Sequence, residues 1–240
     1  MGGAHTGWKM NESKRPGTGE AVLVTGFVPY GGRGRNPAAE IAKALDGTTV
    51  EGYPVIGRSL PVSYRELAPR LEALLDEIRP VVAIALGLWP GEAVIRLERF
   101  GLNLAHFEIP DNDGLRVSDA LIAPEGETGL RATLPLRAIE AALLAEGIPA
   151  KLSSTAGTFL CNVTLYTLMR LLAAKPSPAR GGFIHLPYMP EQVAGMLVEA
   201  KSSPLLELHQ RSDFASMELS RMLRAVTIAI ATTLKELPAR

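Results

Sequence analysis

The sequence predicts a three-layer α/β/α sandwich built around a mixed, mostly parallel sheet. Short apolar runs such as AVLVTGF (21–27) and VVAIALG (81–87) are typical of strands that are buried on both faces. Segments with helical periodicity separate these runs, as expected for a sheet whose strands are joined by helices. Residues 20–240 contain no internal repeat and no stretch with the composition of a linker. We therefore expect a single α/β domain over residues 20–240.

The predicted elements follow one another without long gaps. In chain order they are strand AVLVTGF, helix PAAEIAKALDG, strand YPVIGRSLPV, helix YRELAPRLEALLDEIRP, strand VVAIALG, strand-like VIRLERFGLNLAHFEI, a surface loop IPDNDGLRVSDALIAPEGETG, helix then strand in LPLRAIEAALLAEGIPAKLSST, helix TFLCNVTLYTLMRLLAAK, strand GGFIHLP and helix PEQVAGMLVEA. Pro69 predicts a kink or a late start of its helix. Residues 214–237 predict a long amphipathic helix whose apolar face is either core or an oligomer interface.

Composition and charge indicate which part of the chain lies outside the fold and which partners and locations are not expected. Residues 1–19 are polar and rich in glycine, which predicts a flexible N-terminal tail outside the fold. The net charge is zero, with 25 basic and 25 acidic residues, so neither nucleic acid nor an anionic membrane is an expected partner. No apolar stretch is long enough to span a membrane, and nothing resembles a secretory signal. A cytoplasmic location is the expectation. The four histidines lack metal-ligand spacing, and we expect no metal and no cofactor.

The chemistry is expected where strands end and loops lead into helices. Thr158 is a candidate N-cap, which would place the only cysteine, Cys161, in the first turn of a helix. The free N–H groups and the helix dipole there are expected to lower the pKa of a thiol and to hold an oxyanion. Cys161 is therefore either a nucleophile or a buried small apolar residue. His185, at the end of a buried strand, is either a base or a hydrogen-bonded core residue.

Four blocks of sequence, in order, resemble the pyroglutamyl peptidases, also called pyrrolidone-carboxylate peptidases, which are cysteine peptidases that remove N-terminal pyroglutamate from peptides. The blocks are TGFVPYGG…NPA, IPDNDG, STAGTFLCN and GFIHLPYMPEQ, and the resemblance extends from about Val22 to about Gln192. It implies that Cys161 is the nucleophile, that His185 is the general base and then acid, and that Glu98 of RLERFGLN orients the imidazole. The implied reaction releases 5-oxoproline through a thioester acyl-enzyme.

The resemblance also implies a substrate pocket. Phe27 and Tyr30 align with two aromatic positions that wall the flat lactam ring in the family, and Leu88 of GLWPG occupies a pocket position where bacterial relatives carry glutamine. Glu108 stands where those relatives carry an arginine. We expect Glu108 to point away from the site, to pair with Arg96 or Arg99, or to mark an altered function.

These departures keep two further functions open. One is an amidohydrolase that has the same triad and acts on a different small acyl group, and the other is a non-catalytic relative that binds small molecules or proteins. The expected partners are small N-terminally blocked peptides as substrates and further copies of the chain, because the family resemblance implies a homo-oligomer, either a dimer or a tetramer.

Overall fold

A mixed sheet of seven strands runs through the part of the chain that the computed structural model describes, residues 21–175, 179–202 and 214–238. The strands are β1 (Val22–Phe27), β2 (Thr49–Val50), β3 (Tyr53–Leu60), β4 (Val82–Leu88), β5 (Ile95–Glu98), β6 (Phe100–Leu102), β7 (Gly129–Arg131), β8 (Ala150–Ser153) and β9 (Arg180–Leu186). The helices are α1 (Pro37–Leu45), α2 (Tyr64–Ile78), α3 (Leu136–Ala145), α4 (Leu160–Ala173), α5 (Pro190–Ser202) and α6 (Leu219–Lys235).

The strand order of the main sheet is β2-β3-β1-β4-β9-β5-β8, and β6 pairs separately with β7. Four neighbouring pairs are parallel: β3 with β1, β1 with β4, β4 with β9, and β5 with β8. The pairs β2–β3 and β5–β9 are antiparallel. The predicted mixed and mostly parallel sheet is therefore confirmed.

Helices cover both faces of this sheet. Helices α1, α3 and α6 pack together on one face, and α2 and α4 pack together on the other. Helix α1 lies directly on β1 because Gly26 has no side chain, and a Cβ there would come within 2.0 Å of the Ala38 carbonyl oxygen. The arrangement is the predicted three-layer α/β/α sandwich.

One helix begins at the residue where its predicted segment begins, and another begins later than predicted. Ser63 caps α2 by accepting a hydrogen bond from the Glu66 N–H, so α2 begins at Tyr64 and continues through Pro69. The late-start alternative is therefore wrong. Helix α6 begins at Leu219 and not at residue 214, because the preceding segment is extended and Ser216 forms a bridge with Tyr188.

The apolar face of α6 lies in the core of the chain. Its buried residues are Met222, Ala225, Val226, Ala229, Ile230, Thr233 and Leu234. This confirms the core alternative for this helix and removes it as an argument for an oligomer. No helix within the described ranges is both long and apolar enough to cross a membrane. The predicted tail, residues 1–19, lies outside the described residues.

Candidate active site

Three neighbouring strands bring the predicted histidine and glutamate onto one face of the sheet. β4 pairs Gly87 with His185 of β9, whereas β5 runs antiparallel to β9 and pairs Glu98 with Phe183. Paired residues on adjacent strands point to the same face, and so do residues two positions apart on one strand. Gly87, His185 and Glu98 therefore face the same way, toward helix α4.

His185 and Glu98 form a buried hydrogen-bonded pair. The His185 Nδ1 atom lies 2.9 Å from Glu98 Oε1, and the two side chains are 1 % and 0 % exposed. Burial lowers the pKa of His185, although the contact with Glu98 acts in the opposite direction. Burial also opposes ionisation of Glu98, but hydrogen bonds from His185 and other neighbours outweigh it and lower the pKa of Glu98. At neutral pH a carboxylate thus accepts the Nδ1 proton, and Nε2 is left as a free base.

Cys161 lies in the first turn of α4, as predicted, but the cap is not Thr158. The cap position belongs to Phe159, which makes no side-chain capping bond. The Thr158 hydroxyl instead donates to the carbonyl oxygen of His106 at 2.9 Å, so the predicted Thr158 cap is wrong. The first N–H groups of a helix have no acceptor within it, so the start of α4 presents donors beside the sulfur.

The sulfur of Cys161 lies against the strand residue that pairs with His185. A Cβ atom on Gly87 would come within 2.9 Å of Cys161 Sγ, so the sulfur occupies the space that glycine leaves open. The described contacts of Cys161 and His185 include no hydrogen bond between them. Burial, to which the charge of Glu98 adds, raises the pKa of Cys161 to about 12. The expected lowering of the thiol pKa is therefore wrong. A backbone hydrogen bond at the helix start does lower this pKa, but burial outweighs that effect.

Phe27 lies on the same face as the sulfur. It is the last residue of β1 and is buried. The register that pairs Gly26 with Leu86 brings Phe27 beside Gly87. The aromatic ring is thus placed one strand away from the glycine that contacts Cys161.

Tyr30 approaches the site from the loop that follows β1. Its ring centroid lies 6.1 Å from that of Phe159, which in turn packs edge-on against Phe107 at 4.7 Å. Burial raises the pKa of Tyr30, and the proximity of Cys161 adds to this effect. The tyrosine therefore keeps its hydroxyl proton, and it lies close enough to Cys161 for a thiolate there to oppose its ionisation.

Leu88 follows Gly87 and therefore points to the opposite face of β4. It is buried in a small apolar cluster with Tyr188 and Val193. The structure brings Glu98, His185, Cys161, Phe27 and Tyr30 to one side of the sheet, and Leu88 packs behind them. Its role as a substrate contact stays a prediction.

Asn162, which the sequence analysis did not single out, anchors the start of α4. Its side-chain oxygen accepts the Leu102 N–H at 2.8 Å, and its amide nitrogen donates to the carbonyls of Leu102 and Leu104 at 2.9 and 2.8 Å. The fully buried amide thus ties the residue next to Cys161 to the end of β6 and to the chain that follows it. A polar residue inside an apolar helix was the available signal.

The sequence analysis named Arg96 only as a possible partner of Glu108 and did not single out Trp89. The Arg96 side chain is 7 % exposed, and its Nε lies 3.1 Å from the same Glu98 oxygen that contacts His185. The available signal was spacing, because Arg96 precedes Glu98 by two positions in a strand and so shares its face. The guanidinium carbon lies 3.8 Å above the Trp89 ring.

Glu108 does not join this group of residues. It is exposed, and its backbone carbonyl accepts a hydrogen bond from Arg116. No ion pair of its carboxylate exists among the described residues, and Arg96 pairs with Glu92 and Glu98 instead. Of the three alternatives for Glu108, the pairing with Arg96 or Arg99 is therefore wrong. Within the described ranges, no cluster of three or more His, Cys, Asp or Glu residues could hold a metal ion.

Known proteins resemble this chain over most of its length. The family model described as pyroglutamyl peptidase matches residues 20–236. A pyrrolidone-carboxylate peptidase of Pyrococcus furiosus is 40 % identical over 216 residues, which cover 90 % of this chain and 99 % of that protein. One of Bacillus cytotoxicus is 38 % identical, with 90 % and 94 % covered. A crystal structure of pyrrolidone carboxyl peptidase from P. furiosus superposes with a TM-score of 0.84 at 39 % identity, covering 91 % of this chain and all of that one.

Proposed function

The chain belongs to the pyroglutamyl peptidase family, and on that premise we propose that it hydrolyses the bond after an N-terminal pyroglutamate by a Cys161, His185 and Glu98 triad. The observation that carries the proposal is the buried 2.9 Å contact between His185 and Glu98. On the neighbouring strand, His185 pairs with Gly87, the glycine against which the Cys161 sulfur lies. A base oriented by a carboxylate beside a thiol at a helix start is the arrangement that acyl transfer requires.

The reaction begins from a neutral thiol and a neutral imidazole. His185 Nε2 takes the thiol proton as the sulfur bonds to the carbonyl carbon of pyroglutamate, and Glu98 stabilises the imidazolium that forms. The first N–H groups of α4 stabilise the oxyanion. The carbon–nitrogen bond then breaks, and His185 gives its proton to the leaving amine. A thioester to Cys161 remains.

Water completes the cycle. His185 Nε2 removes a proton from water as the oxygen attacks the thioester carbon. The carbon–sulfur bond breaks, 5-oxoproline leaves, and the proton returns to the sulfur. No oxidant, metal or cofactor enters this balance.

Phe27 and Tyr30 are proposed to line the pocket for the lactam ring, and Leu88, which packs on the opposite face of β4, is proposed to shape it from behind. The lactam ring is flat and uncharged, which suits the faces of aromatic rings. Phe27 and Tyr30 support this role by their position around Cys161. The homo-oligomer and the cytoplasmic location stay predictions.

Hydrolysis of pyroglutamyl-aminomethylcoumarin by the full chain tests this function. We expect turnover by the wild type and a loss of at least about 1,000-fold in Cys161→Ala. Cys161→Ser, which nearly preserves the side-chain volume, should also be impaired, because the serine hydroxyl is a weaker nucleophile. Both variants should melt close to the wild type, which separates lost chemistry from lost folding. Undiminished turnover by Cys161→Ala would contradict the assignment.

The amidohydrolase alternative predicts a different result. Leu88, where relatives carry glutamine, is the feature that favours a different acyl group. That alternative requires a wild type that is inert toward the pyroglutamyl amide but hydrolyses another small acyl amide in a manner that iodoacetamide abolishes. Inertness toward every amide would favour the non-catalytic alternative.

A further inference from the structure

Arg96 is a buried cation that donates hydrogen bonds to Glu98 and to three residues near it. Besides its Nε contact with Glu98 at 3.1 Å, one terminal nitrogen lies 3.0 Å from Glu92 Oε1. The other terminal nitrogen donates to Ser153 Oγ at 2.8 Å and to the Thr155 carbonyl at 3.0 Å. A guanidinium held at three nitrogens is fixed in direction, unlike a lysine ammonium on a flexible chain.

Trp89 links Arg96 to the histidine through ring contacts. The guanidinium carbon lies 3.8 Å above the Trp89 ring, which is a cation–π distance. The same ring packs edge-on against His185, with centroids 5.0 Å apart. Arg96 and His185 also pair directly across β5 and β9. Arg96 is thus connected to His185 through Glu98, through Trp89 and through the sheet itself.

We propose that Arg96 is a positioning residue: it shares Glu98 Oε1 with His185, fixes the direction of the carboxylate, and limits how strongly that carboxylate can stabilise a protonated imidazole. The inference rests on the proposed function for its catalytic meaning, since it concerns the same triad. Its physical content is the geometry of a single oxygen, which accepts from a buried guanidinium at 3.1 Å and contacts an imidazole nitrogen at 2.9 Å.

Because Arg96 and His185 share the negative charge of Glu98, the imidazole of His185 is kept unprotonated. The charged and titratable groups around His185 are Glu98 and Arg96 of β5, Glu92 of the loop after β4, Cys161 of α4, and Lys151 of β8, which reaches Glu92. After burial, Glu98 raises and Arg96 lowers the pKa of His185. Arg96 therefore offsets part of the effect of Glu98. The imidazole stays unprotonated to a lower pH than it would beside an unshared carboxylate.

The first test removes the charge of Arg96 and follows the pH dependence of kcat/KM. In Arg96→Gln the pKa of His185 should rise, and the acid limb should move to higher pH by about one unit. Arg96→Lys keeps the charge but not the planar fork, so its limb should move by about half of that or less while kcat falls. Arg180→Gln is the matched control, because Arg180 is exposed at the far end of the same strand as His185.

A second variant has the opposite expected sign and spares the buried arginine. Glu92→Gln leaves Arg96 less neutralised, so the pKa of His185 should fall and the acid limb should move to lower pH. The Glu92 side chain is 30 % exposed, so the variant should fold even where Arg96→Gln does not. Acid limbs that coincide with the wild type in Glu92→Gln, and in Arg96→Gln where it folds, would overturn the proposal.

An activity-independent readout separates this proposal from the proposed function. NMR titration of the His185 imidazole, assigned by comparison with His185→Gln, should give the same shifts in the same variants. Shifted titrations in a protein inert toward pyroglutamyl amides would support the role of Arg96 and reject the proposed function. Turnover of pyroglutamyl amides with unmoved titrations would reject the role of Arg96 and leave the proposed function standing.

Discussion

Burial governs the protonation of the two central residues. The pKa of Cys161 is raised to about 12 and that of His185 is lowered, in each case mainly by burial. A high thiol pKa and a low imidazole pKa both favour the neutral pair over a thiolate–imidazolium pair. In the resting site the proton is therefore on the sulfur, and His185 takes it up in the course of the reaction.

The rate of alkylation of Cys161 by iodoacetamide in His185→Gln measures this directly. Because His185→Gln has no imidazole to take the thiol proton, only the thiolate reacts in that variant, and the rate constant should rise about tenfold for each pH unit below the thiol pKa. We expect this rise to continue across the range from about pH 6 to pH 9, whereas a small free thiol levels off above its pKa of about 8.5. A rate constant that is flat over this range in His185→Gln would contradict the raised thiol pKa and indicate a preformed thiolate.

At the residue scale, sequence motifs were sufficient for the triad candidates but not for their surroundings. Cys161 and His185 stand in recognisable blocks. The spacing of Arg96 and Glu98 indicates a shared face, but the pairing of Arg96 with His185 depends on a register between β5 and β9 that no local pattern reveals. Threonine is a common helix cap, yet the Thr158 hydroxyl donates its hydrogen bond to the carbonyl oxygen of His106, which lies in another segment of the chain. Tertiary hydrogen bonds decided both cases.

At the element scale, α4 depends on a tertiary anchor at its first turn. Phe159 provides no capping bond, and the Asn162 amide makes two hydrogen bonds to Leu102 at the end of β6 and one to Leu104. These bonds hold the helix start, and therefore Cys161, against the sheet.

Asn162→Ala should loosen this anchor. The variant leaves the Leu102 N–H and the Leu104 carbonyl without their hydrogen bonds to the side chain. Because these groups lose their partner, we expect the free energy of unfolding to fall by about 1–3 kcal/mol. We also expect kcat to fall more than KM rises, because the nucleophile is less well held. Denaturant titration and steady-state kinetics measure both quantities. Thr227→Ala on α6, which removes one bond within a helix, is the control, and an Asn162→Ala protein as stable and active as that control would contradict the anchor.

Local patterns gave most of the elements but not their arrangement. Buried apolar runs identified β1, β4 and β9, and periodicity identified α2 and α4. The two short strands β2 and β7 were missed, because two or three residues carry no periodic signal. The strand order, with β5 antiparallel beside β9, depends on packing that sequence periodicity does not encode.

At the scale of the whole molecule, the predicted fold class, family and hydrolase class are confirmed. The family match spans residues 20–236, and the superposed P. furiosus structure is covered along its whole length. The prediction of a single domain over 20–240 stays a prediction. The sheet gives the molecule its chemical site by placing a glycine where a side chain would otherwise displace the sulfur.

Mass spectrometry of the intact protein, quenched in acid during turnover of a pyroglutamyl peptide, tests the central claim most directly. A thioester on the only cysteine of the chain should add the mass of one pyroglutamyl group, and hydroxylamine should remove it. We predict this adduct on Cys161 in the wild type and none in Cys161→Ala. Steady turnover with no adduct, including with an activated pyroglutamyl ester that acylates the sulfur faster than the thioester hydrolyses, would contradict covalent catalysis by Cys161.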